Sequence, residues 1–123
     1  MARILLIDDD EQLRMMLRKM LEKAGYTDVE EANDGHIGIQ LFRQHPFDLV
    51  ITDIIMPDKE GIETIIELIG DYPQVKIIAM SGGGRVGPQD YLKMAKHLGA
   101  SRALTKPFKY SDLIDSVQEL LSE

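Results

Sequence analysis

The sequence predicts an α/β protein in which a five-stranded parallel sheet is covered by helices on both faces. Short apolar runs rich in β-branched residues alternate with segments whose apolar residues recur every three or four positions. An uninterrupted apolar run is typical of a strand buried on both faces of a parallel sheet. Strict alternation of strands and helices implies right-handed crossovers between parallel strands. The 123-residue length predicts a single domain.

Three strands and two helices are predicted in the first half of the chain. The first helix ends at Gly25, because glycine often follows the last residue of a helix. The turn Asn33-Asp34-Gly35 caps the second helix, which ends before Pro46 since proline disfavours helical structure in the preceding residue. The polar strand at 27–31 is placed at a sheet edge. The predicted strands are 3–7, 27–31 and 48–53, and the helical faces contain Leu13, Met16, Leu17, Met20, Leu21 and Ala24, then Ile37, Leu41 and Phe42.

The second half of the chain continues the alternation. Pro73 follows the end of the third helix, while Pro88 begins and Gly99 ends the fourth. Five strands and five helices in this order favour a doubly wound, flavodoxin-like sheet of order 2-1-3-4-5, with its switch point between the first and third strands. The remaining strands are 75–80 and 100–105, and the helical faces contain Ile62, Ile65, Ile66 and Ile69, then Tyr91, Leu92, Ala95 and Leu98, then Leu113, Val117, Leu120 and Leu121.

Charge and composition exclude several classes of function. The net charge of -7 and the isoelectric point near 4.9 argue against a direct nucleic-acid surface, because neutralising phosphates requires clustered Lys and Arg. The sequence has no cysteine, which excludes disulfides, thiol catalysis and Cys-based metal sites. The first residues lead directly into a strand, with neither a signal-peptide pattern nor a long apolar span. We therefore expect a soluble, cytoplasmic protein that binds neither membrane nor DNA directly.

The residues at the ends of the predicted strands carry the candidate chemistry. The first strand is followed by Asp8 and Asp9, the third ends at Asp53, and Ser81 and Lys106 follow the fourth and fifth. The carboxyl ends of parallel strands share one edge of the sheet, which is where ligands bind in this architecture. Three carboxylates there would repel one another and raise their own pKa values, so a cation must share the site. Lys106 and Mg²⁺ are the natural candidates, since Mg²⁺ prefers oxygen ligands.

These residues resemble the receiver domain of two-component response regulators, the family of the chemotaxis and sporulation phosphorelay regulators. The resemblance covers the whole chain, so residues 1–123 are expected to form one receiver domain. The matching pieces are Ile-Asp-Asp-Asp-Glu at 7–11, Asp-Ile-Ile-Met-Pro-Asp-Lys-Glu-Gly at 53–61, Ser81, and Thr-Lys-Pro-Phe at 105–108.

The resemblance implies a phosphorylation-dependent signalling switch in a two-component system or phosphorelay. Asp53 would receive a phosphoryl group as an aspartyl phosphate, with Mg²⁺ as the cofactor. The metal would be held by Asp8, Asp9, Asp53 and the backbone carbonyl of Ile55, and Ser81 and Lys106 would contact the phosphoryl oxygens. Such a protein catalyses only its own phosphorylation and dephosphorylation and is not otherwise an enzyme.

The resemblance also implies partners. The phosphoryl donor would be a sensor histidine kinase or a histidine phosphotransfer protein, and the output would go to a downstream protein. The surface formed by the fourth helix, the fifth strand and the fifth helix is the expected partner face. We expect a monomer, or a dimer once phosphorylated.

The sequence departs from the family pattern at Ala103. It also carries Ile55 and Gly83 at two positions that affect the phosphoryl lifetime in receivers. Ala103 stands three residues before Lys106, where family members usually carry Tyr or Phe. In receivers, the side chains at the positions of Ile55 and Gly83 flank the path of water to the phosphorus and tune the phosphoryl lifetime. Ile55 can neither orient nor polarise that water, so Ile55→Asn is expected to speed loss of the phosphoryl group from Asp53 several-fold.

Three other functions fit parts of the pattern. An aspartate-nucleophile phosphatase of the haloacid dehalogenase type needs a second Asp two residues after the nucleophile, and that position is Ile55. A flavodoxin-type cofactor binder would need a first loop that cradles phosphate, whereas the acidic residues 8–11 would repel one. A receiver used only for protein contact would show no mobility shift with acetyl phosphate and Mg²⁺.

Overall fold

The computed structural model describes residues 2–54, 61–81, 93, 96–106 and 108–122. Its strands are β1 (Ile4–Ile7), β2 (Val29–Ala32), β3 (Leu49–Asp53), β4 (Ile77–Ser81) and β5 (Arg102–Thr105). Its helices are α1 (Glu11–Lys23), α2 (Gly35–Gln44), α3 (Gly61–Asp71) and α5 (Tyr110–Leu121), with residues 93 and 96–98 marking α4 between β4 and β5.

The five strands form one sheet in the order β2-β1-β3-β4-β5, and every neighbouring pair is parallel. This confirms the predicted flavodoxin-like order and the edge position of β2. Each strand begins one or two residues later than predicted, and Ser81 is the last residue of β4 and not the first residue after it. The difference arises because apolar content locates a strand but does not define which residues pair.

Both faces of the sheet are buried, as expected for a parallel sheet between two helical layers. Along β1, Leu5 and Ile7 point into the cluster that contains the buried residues of α2 and α3, whereas Ile4 and Leu6 point into the cluster of α1 and α5. All four side chains are fully buried. The continuous apolar run of β1 therefore contributes side chains to two hydrophobic clusters, one on each face of the sheet.

Polar residues and glycine define the ends of the helices. Asp10 caps α1, because its Oδ1 accepts hydrogen bonds from the amides of Gln12 at 3.0 Å and Leu13 at 3.2 Å. Asp34 caps α2 through the amide of Ile37. Gly25 follows α1 with a φ of 96°, a left-handed conformation that glycine adopts without strain. The predicted capping turn at 33–35, within which Asp34 is the cap, and the predicted stop at Gly25 are both confirmed.

Three apolar residues that we predicted on helical faces are exposed. Met16 is 42% exposed, Ile37 38% and Ile66 51%. In each helix the side chains that pack on the sheet form a narrower row than the sequence pattern, such as Leu17 and Leu21 in α1. A residue at the margin of an apolar stripe is buried only if the helix is rotated toward it. The three residues do lie on the helices that they were predicted to mark, but the spacing did not define which of them face the sheet.

In the described ranges, we find no helix with both the length and the hydropathy that a membrane span requires.

The end of α4 lies where the sequence predicts it. Gly99 follows the helical residues 96–98 with a φ of 119°, as predicted for the end of α4. The predicted start of that helix at Pro88, and its face residues Tyr91, Leu92 and Ala95, lie outside the described residues.

Candidate functional site

The register of the central strands brings the candidate acidic residues together. Ile7 of β1 pairs with Thr52 of β3, so Asp8 and Asp53 come next on adjacent strands at the carboxyl edge of the sheet. This is the switch point at which the chain changes direction across the sheet, because β1 lies between β2 and β3. The predicted meeting of these strand ends is therefore observed in the fold.

Three carboxylates form a cluster at this edge. Asp8, Asp9 and Asp53 each present a carboxylate oxygen, and these oxygens lie within 4.8 Å of one another. Asp8 is 1% exposed and Asp53 is 9% exposed, whereas Asp9 faces solvent. Oδ1 of Asp8 accepts a hydrogen bond from the amide of Asp10 at 2.9 Å, which fixes the orientation of that carboxylate. The cluster thus has a buried floor and an open side.

Lys106 lies against the two buried carboxylates. Its Nζ donates to Oδ2 of Asp53 at 3.1 Å and to Oδ2 of Asp8 at 3.2 Å. Burial lowers the pKa of Lys106, but the charges of Asp53 and Asp8 and the hydrogen bonds to them outweigh it and hold that pKa above its usual value. Lys106 is therefore a fixed cation at the site.

The pKa of Asp8 is raised, and the principal cause is burial. The hydrogen bond from Asp10 and the charge of Lys106 oppose that increase, and the charge of Asp53 adds a smaller contribution to it. We predicted a raised pKa from repulsion among the carboxylates, and repulsion contributes less than desolvation does. Any ligand that stabilises ionised Asp8 must therefore compensate for lost hydration.

Ser81 completes the buried part of the site. Its side chain is fully buried at the end of β4, and within the described part of the chain its Oγ has no hydrogen-bond partner. The carbonyl oxygen of Ser81 accepts a hydrogen bond from the amide of Lys106 at 2.9 Å, which ties the end of β4 to the end of β5. A buried hydroxyl without a partner is costly, and such groups often mark a place where a ligand binds.

The donor set fits a hard divalent cation. Carboxylate oxygens are the ligands that Mg²⁺ prefers, and it usually takes one or two of them together with water and a phosphate oxygen. Asp8, Asp9 and Asp53 supply oxygen ligands on one side, and the hydroxyl of Ser81 and the ammonium of Lys106 supply hydrogen-bond donors nearby. This combination can bind a metal ion and a tetrahedral oxyanion at the same time.

The remaining predicted residues are distributed differently. Ile55 and Gly83, predicted to tune the phosphoryl lifetime, lie outside the described residues, as does the backbone carbonyl of Ile55 predicted as a metal ligand. Ala103 lies on β5 opposite Ala79 and packs, partly buried, against the α2 and α3 side of the core. The position that usually carries an aromatic residue is thus filled by a methyl group.

Sequence reasoning missed two residues that support the site. Arg14 of α1 donates a hydrogen bond from Nη1 to the carbonyl oxygen of Asp8 at 2.6 Å, and Glu31 of β2 accepts from its Nε at 3.0 Å. The available signal was weak, because it consisted of Arg14 and Arg18 on one side of an otherwise apolar helical pattern. Charged residues at such positions are usually only solvated.

Sequence comparisons relate the chain to known proteins. A family model described as the response regulator receiver domain matches residues 4–118. The chain is 36% identical over 122 residues to the transcriptional regulatory protein PdtaR of Mycobacterium tuberculosis, a match that covers 98% of this chain and 57% of that protein. It is 34% identical over 121 residues to the response regulator receiver protein CpdR of Brucella abortus, with 98% of each chain covered. This chain therefore spans little more than half the length of PdtaR and nearly all of CpdR.

Solved structures extend the comparison to the fold. The crystal structure of a response regulator receiver domain protein from Clostridium thermocellum matches with a TM-score of 0.90 and 28% identity, covering 99% of this chain and 95% of that one. The strand order β2-β1-β3-β4-β5 agrees with this likeness in fold. Because the family model, the relatives and the fold agree along nearly the whole sequence, the chain belongs to the receiver domain family of two-component response regulators.

Proposed function

We propose that Asp53 accepts a phosphoryl group from a phosphohistidine and that the resulting aspartyl phosphate changes a partner-binding surface. The observation that carries this proposal is the contact between the Asp53 carboxylate and Lys106, 3.1 Å apart, beside the acidic pair Asp8 and Asp9. Asp53 is the last residue of the central strand β3, it contributes an oxygen to the acidic cluster, and it contacts the cation directly. A nucleophile needs both kinds of neighbour in phosphoryl transfer.

The transfer itself requires little covalent chemistry from the protein. An oxygen of the Asp53 carboxylate attacks phosphorus, the O–P bond forms, the P–N bond to the donor histidine breaks, and the electron pair stays on that nitrogen, which takes up a proton. Negative charge on the phosphoryl oxygens must be neutralised throughout. Lys106 does this with a fixed ammonium group whose pKa is raised by Asp53 and Asp8.

Asp8, Asp9 and Asp53 would hold Mg²⁺. When bound, the ion supplies charge neutralisation at the phosphoryl oxygens and a template for in-line geometry. The chain's own contribution is to fix the ligands before the ion arrives. The amide of Asp10 orients Oδ1 of Asp8, and burial keeps that carboxylate at the floor of the cluster.

Ser81 and Lys106 would convert phosphorylation into a change of shape. The buried Oγ of Ser81 can donate a hydrogen bond to a phosphoryl oxygen, and it makes no such bond within the described residues. Movement of Ser81 would be felt by β5, because its carbonyl oxygen accepts from the amide of Lys106. A phosphoryl group adds up to about two negative charges, enough to reposition both groups.

The function follows from these roles. We assign the chain to signalling between a histidine kinase, or a histidine phosphotransfer protein, and a downstream protein, with no substrate other than itself. This assignment rests on the family and on the acidic cluster. A cytoplasmic location fits this role. The phosphatase alternative would require turnover of a phosphate ester without any kinase partner.

Phosphopeptide mapping tests the proposal. Wild-type protein incubated with acetyl phosphate and Mg²⁺ should carry the label on Asp53, and Asp53→Asn should carry none while keeping its fold. Asp34→Asn is the matched control, because it makes the same change at a helix cap where Asn serves as well as Asp, and it should label normally. Label found on Asp8 or Asp9 would show that the assignment of roles is wrong.

A further inference from the structure

Arg14 connects helix α1 to the main chain of the acidic cluster. Its Nη1 donates to the carbonyl oxygen of Asp8 at 2.6 Å, and its Nε donates to Oε1 of Glu31 at 3.0 Å. The Arg14 side chain is only 13% exposed. A mostly buried guanidinium with two fixed acceptors has a defined orientation, because its planar fork allows few alternative geometries.

Glu31 is shared by two arginines. Its Oε2 accepts from Nε of Arg18 at 2.7 Å, and Arg18 also donates from Nη2 to the carbonyl oxygen of Val29 at 2.7 Å. Burial would raise the pKa of Glu31, but the hydrogen bonds and charges of Arg18 and Arg14 outweigh it and lower that pKa. Glu31 thus stays ionised at neutral pH and holds both guanidinium groups in place.

The two arginines differ in what they hold. Both bond to Glu31 and to one backbone carbonyl, but Arg18 reaches Val29 at the start of β2, whereas Arg14 reaches Asp8 at the site itself. The amide of Asp8 donates to the carbonyl oxygen of Ala32 at 3.1 Å. Asp8 is therefore held by β2 on its amide side and by α1, through Arg14, on its carbonyl side.

We propose that Arg14 is a positioning residue for the metal site, which fixes the peptide between Asp8 and Asp9 and so the direction of both carboxylates. This inference rests on the proposed Mg²⁺-dependent function. The carbonyl of Asp8 belongs to the same peptide plane as the amide of Asp9, so rotation of that plane would move one carboxylate relative to the other. Mutation of groups that orient metal ligands without touching the ion typically costs about 10- to 100-fold in metal affinity.

We expect Arg14 to affect Mg²⁺ affinity by orienting the ligands and not through its charge. Arg14 is a cation close to a cation site, so its charge alone would weaken Mg²⁺ binding and its removal would strengthen it. Glu31 offsets part of that charge through the bond at 3.0 Å. Loss of the positioning contact weakens Mg²⁺ binding, whereas loss of the positive charge strengthens it. The Mg²⁺ affinity of an Arg14 variant therefore shows which effect is larger.

Isothermal titration calorimetry with Mg²⁺ alone, on the 123-residue wild-type chain and three variants, tests the proposal. Arg14→Met should weaken Mg²⁺ binding by about tenfold or more, the usual cost of losing a residue that orients metal ligands. Arg14→Lys keeps the charge but not the fork, and it should weaken binding nearly as much. Arg18→Met loses the same Glu31 contact and one carbonyl bond, and its affinity should stay within about twofold of wild type, whatever its stability.

The outcomes separate this inference from the proposed function. Unchanged or tighter binding in Arg14→Met, equal losses in the Arg14→Met and Arg18→Met variants, or full affinity in Arg14→Lys would each overturn the positioning role. Failure of wild-type protein to bind Mg²⁺ would overturn it as well. The phosphotransfer function is judged separately, by the label on Asp53, so one can fail without the other.

Discussion

Nζ of Lys106 lies 3.1 Å from Oδ2 of Asp53, so the cation at the end of β5 contacts the proposed phosphoacceptor before any phosphoryl group arrives. The same Nζ contacts Oδ2 of Asp8 at 3.2 Å. Lys106 thus offsets part of the negative charge of the acidic cluster in the resting protein, and it is in place to follow that charge onto a phosphoryl group.

Replacement of Lys106 by methionine should destabilise the protein at neutral pH. The variant leaves Asp8, which is 1% exposed, and Asp53 without their shared cation. Breaking a buried pair costs about 3–5 kcal/mol, and the partial exposure of the Lys106 side chain, 23%, reduces our expectation to about 2 kcal/mol. Urea unfolding at pH 7 without Mg²⁺ measures the loss.

Mg²⁺ at one hundred times its dissociation constant should offset the loss relative to wild type without Mg²⁺, because an ion that binds only the folded protein then stabilises it by about 2.7 kcal/mol. Lys109→Met serves as a control, since Lys109 is exposed and contributes its amide, not its side chain, to the contact with Asp112. If Lys106→Met were as stable as wild type without Mg²⁺, the ion pairs would not contribute to the resting state.

Replacement of Ser81 by alanine should not destabilise the unphosphorylated protein. The Oγ of Ser81 is buried and makes no hydrogen bond within the described residues, so its removal relieves an uncompensated desolvation cost. We expect the free energy of unfolding to stay constant or rise by up to about 1 kcal/mol. Phosphorylation should then shift the NMR signals of Thr105 and Lys106 much less than in wild type.

Ser101→Ala is the matched control. The Oγ of Ser101 accepts a hydrogen bond from the amide of Ile77 at 3.3 Å, so its loss should cost about 0.5–1 kcal/mol. A Ser81→Ala variant that is less stable than Ser101→Ala would mean that the Ser81 hydroxyl is already bonded in the resting protein.

The sequence predicted the strand order and the meeting of acidic residues for the same reason. In a parallel sheet every strand ends at one edge, so residues far apart in sequence, such as Asp8, Asp53 and Lys106, become neighbours once the alternation of strands and helices is recognised. No detail of side-chain packing is needed for that step.

Other features depend on details that periodicity does not contain. The bond from Arg14 to the carbonyl of Asp8 requires a particular rotation of α1, and the same rotation leaves Met16 exposed. A pattern of three- and four-residue spacing defines the stripe of a helix to within about one residue on either side. Contacts made by the margins of that stripe could not be predicted.

Acid should destabilise wild-type protein partly through Glu31. Hydrogen bonds from Arg18 and Arg14 outweigh burial and lower the pKa of Glu31 below its usual value of 4.5. A lowered folded pKa gives stability that is present above the unfolded pKa and is lost as pH falls through the folded pKa. Glu31→Gln should be less stable at pH 7 and should lose less stability than wild type between about pH 5 and pH 3.

Urea unfolding across this pH range measures how the free energy of unfolding of wild type and of Glu31→Gln changes with pH. Glu22→Gln, an exposed change on α1, is the control and should keep the wild-type slope. If the free energy of unfolding changed equally with pH in wild type and Glu31→Gln, the contacts of the two arginines would not depend on the Glu31 charge.

A methyl group at Gly61 should distort the end of β3, which carries the proposed phosphoacceptor Asp53. A Cβ there would lie 2.0 Å from the carbonyl oxygen of Asp53 and 2.3 Å from Cα of Ile54, both of which are backbone atoms that cannot rotate away. The amide of Gly61 also donates to the carbonyl oxygen of Ile54 at 3.1 Å, which keeps the two segments in contact. Gly61→Ala should therefore lower the free energy of unfolding by about 2 kcal/mol or more.

Gly70 in the same helix provides the opposite expectation. A Cβ at Gly70 meets no heavy atom within 4 Å in the described structure, and alanine is a better helix former than glycine, so Gly70→Ala should stabilise the protein by about 0.5–1 kcal/mol.

The Gly61→Ala variant should also be phosphorylated more slowly by acetyl phosphate, because the Asp53 backbone must shift to admit the methyl group. Urea unfolding and single-turnover labelling of both variants test the pair. Wild-type labelling in Gly61→Ala would mean that the strand end adapts without moving the Asp53 carboxylate.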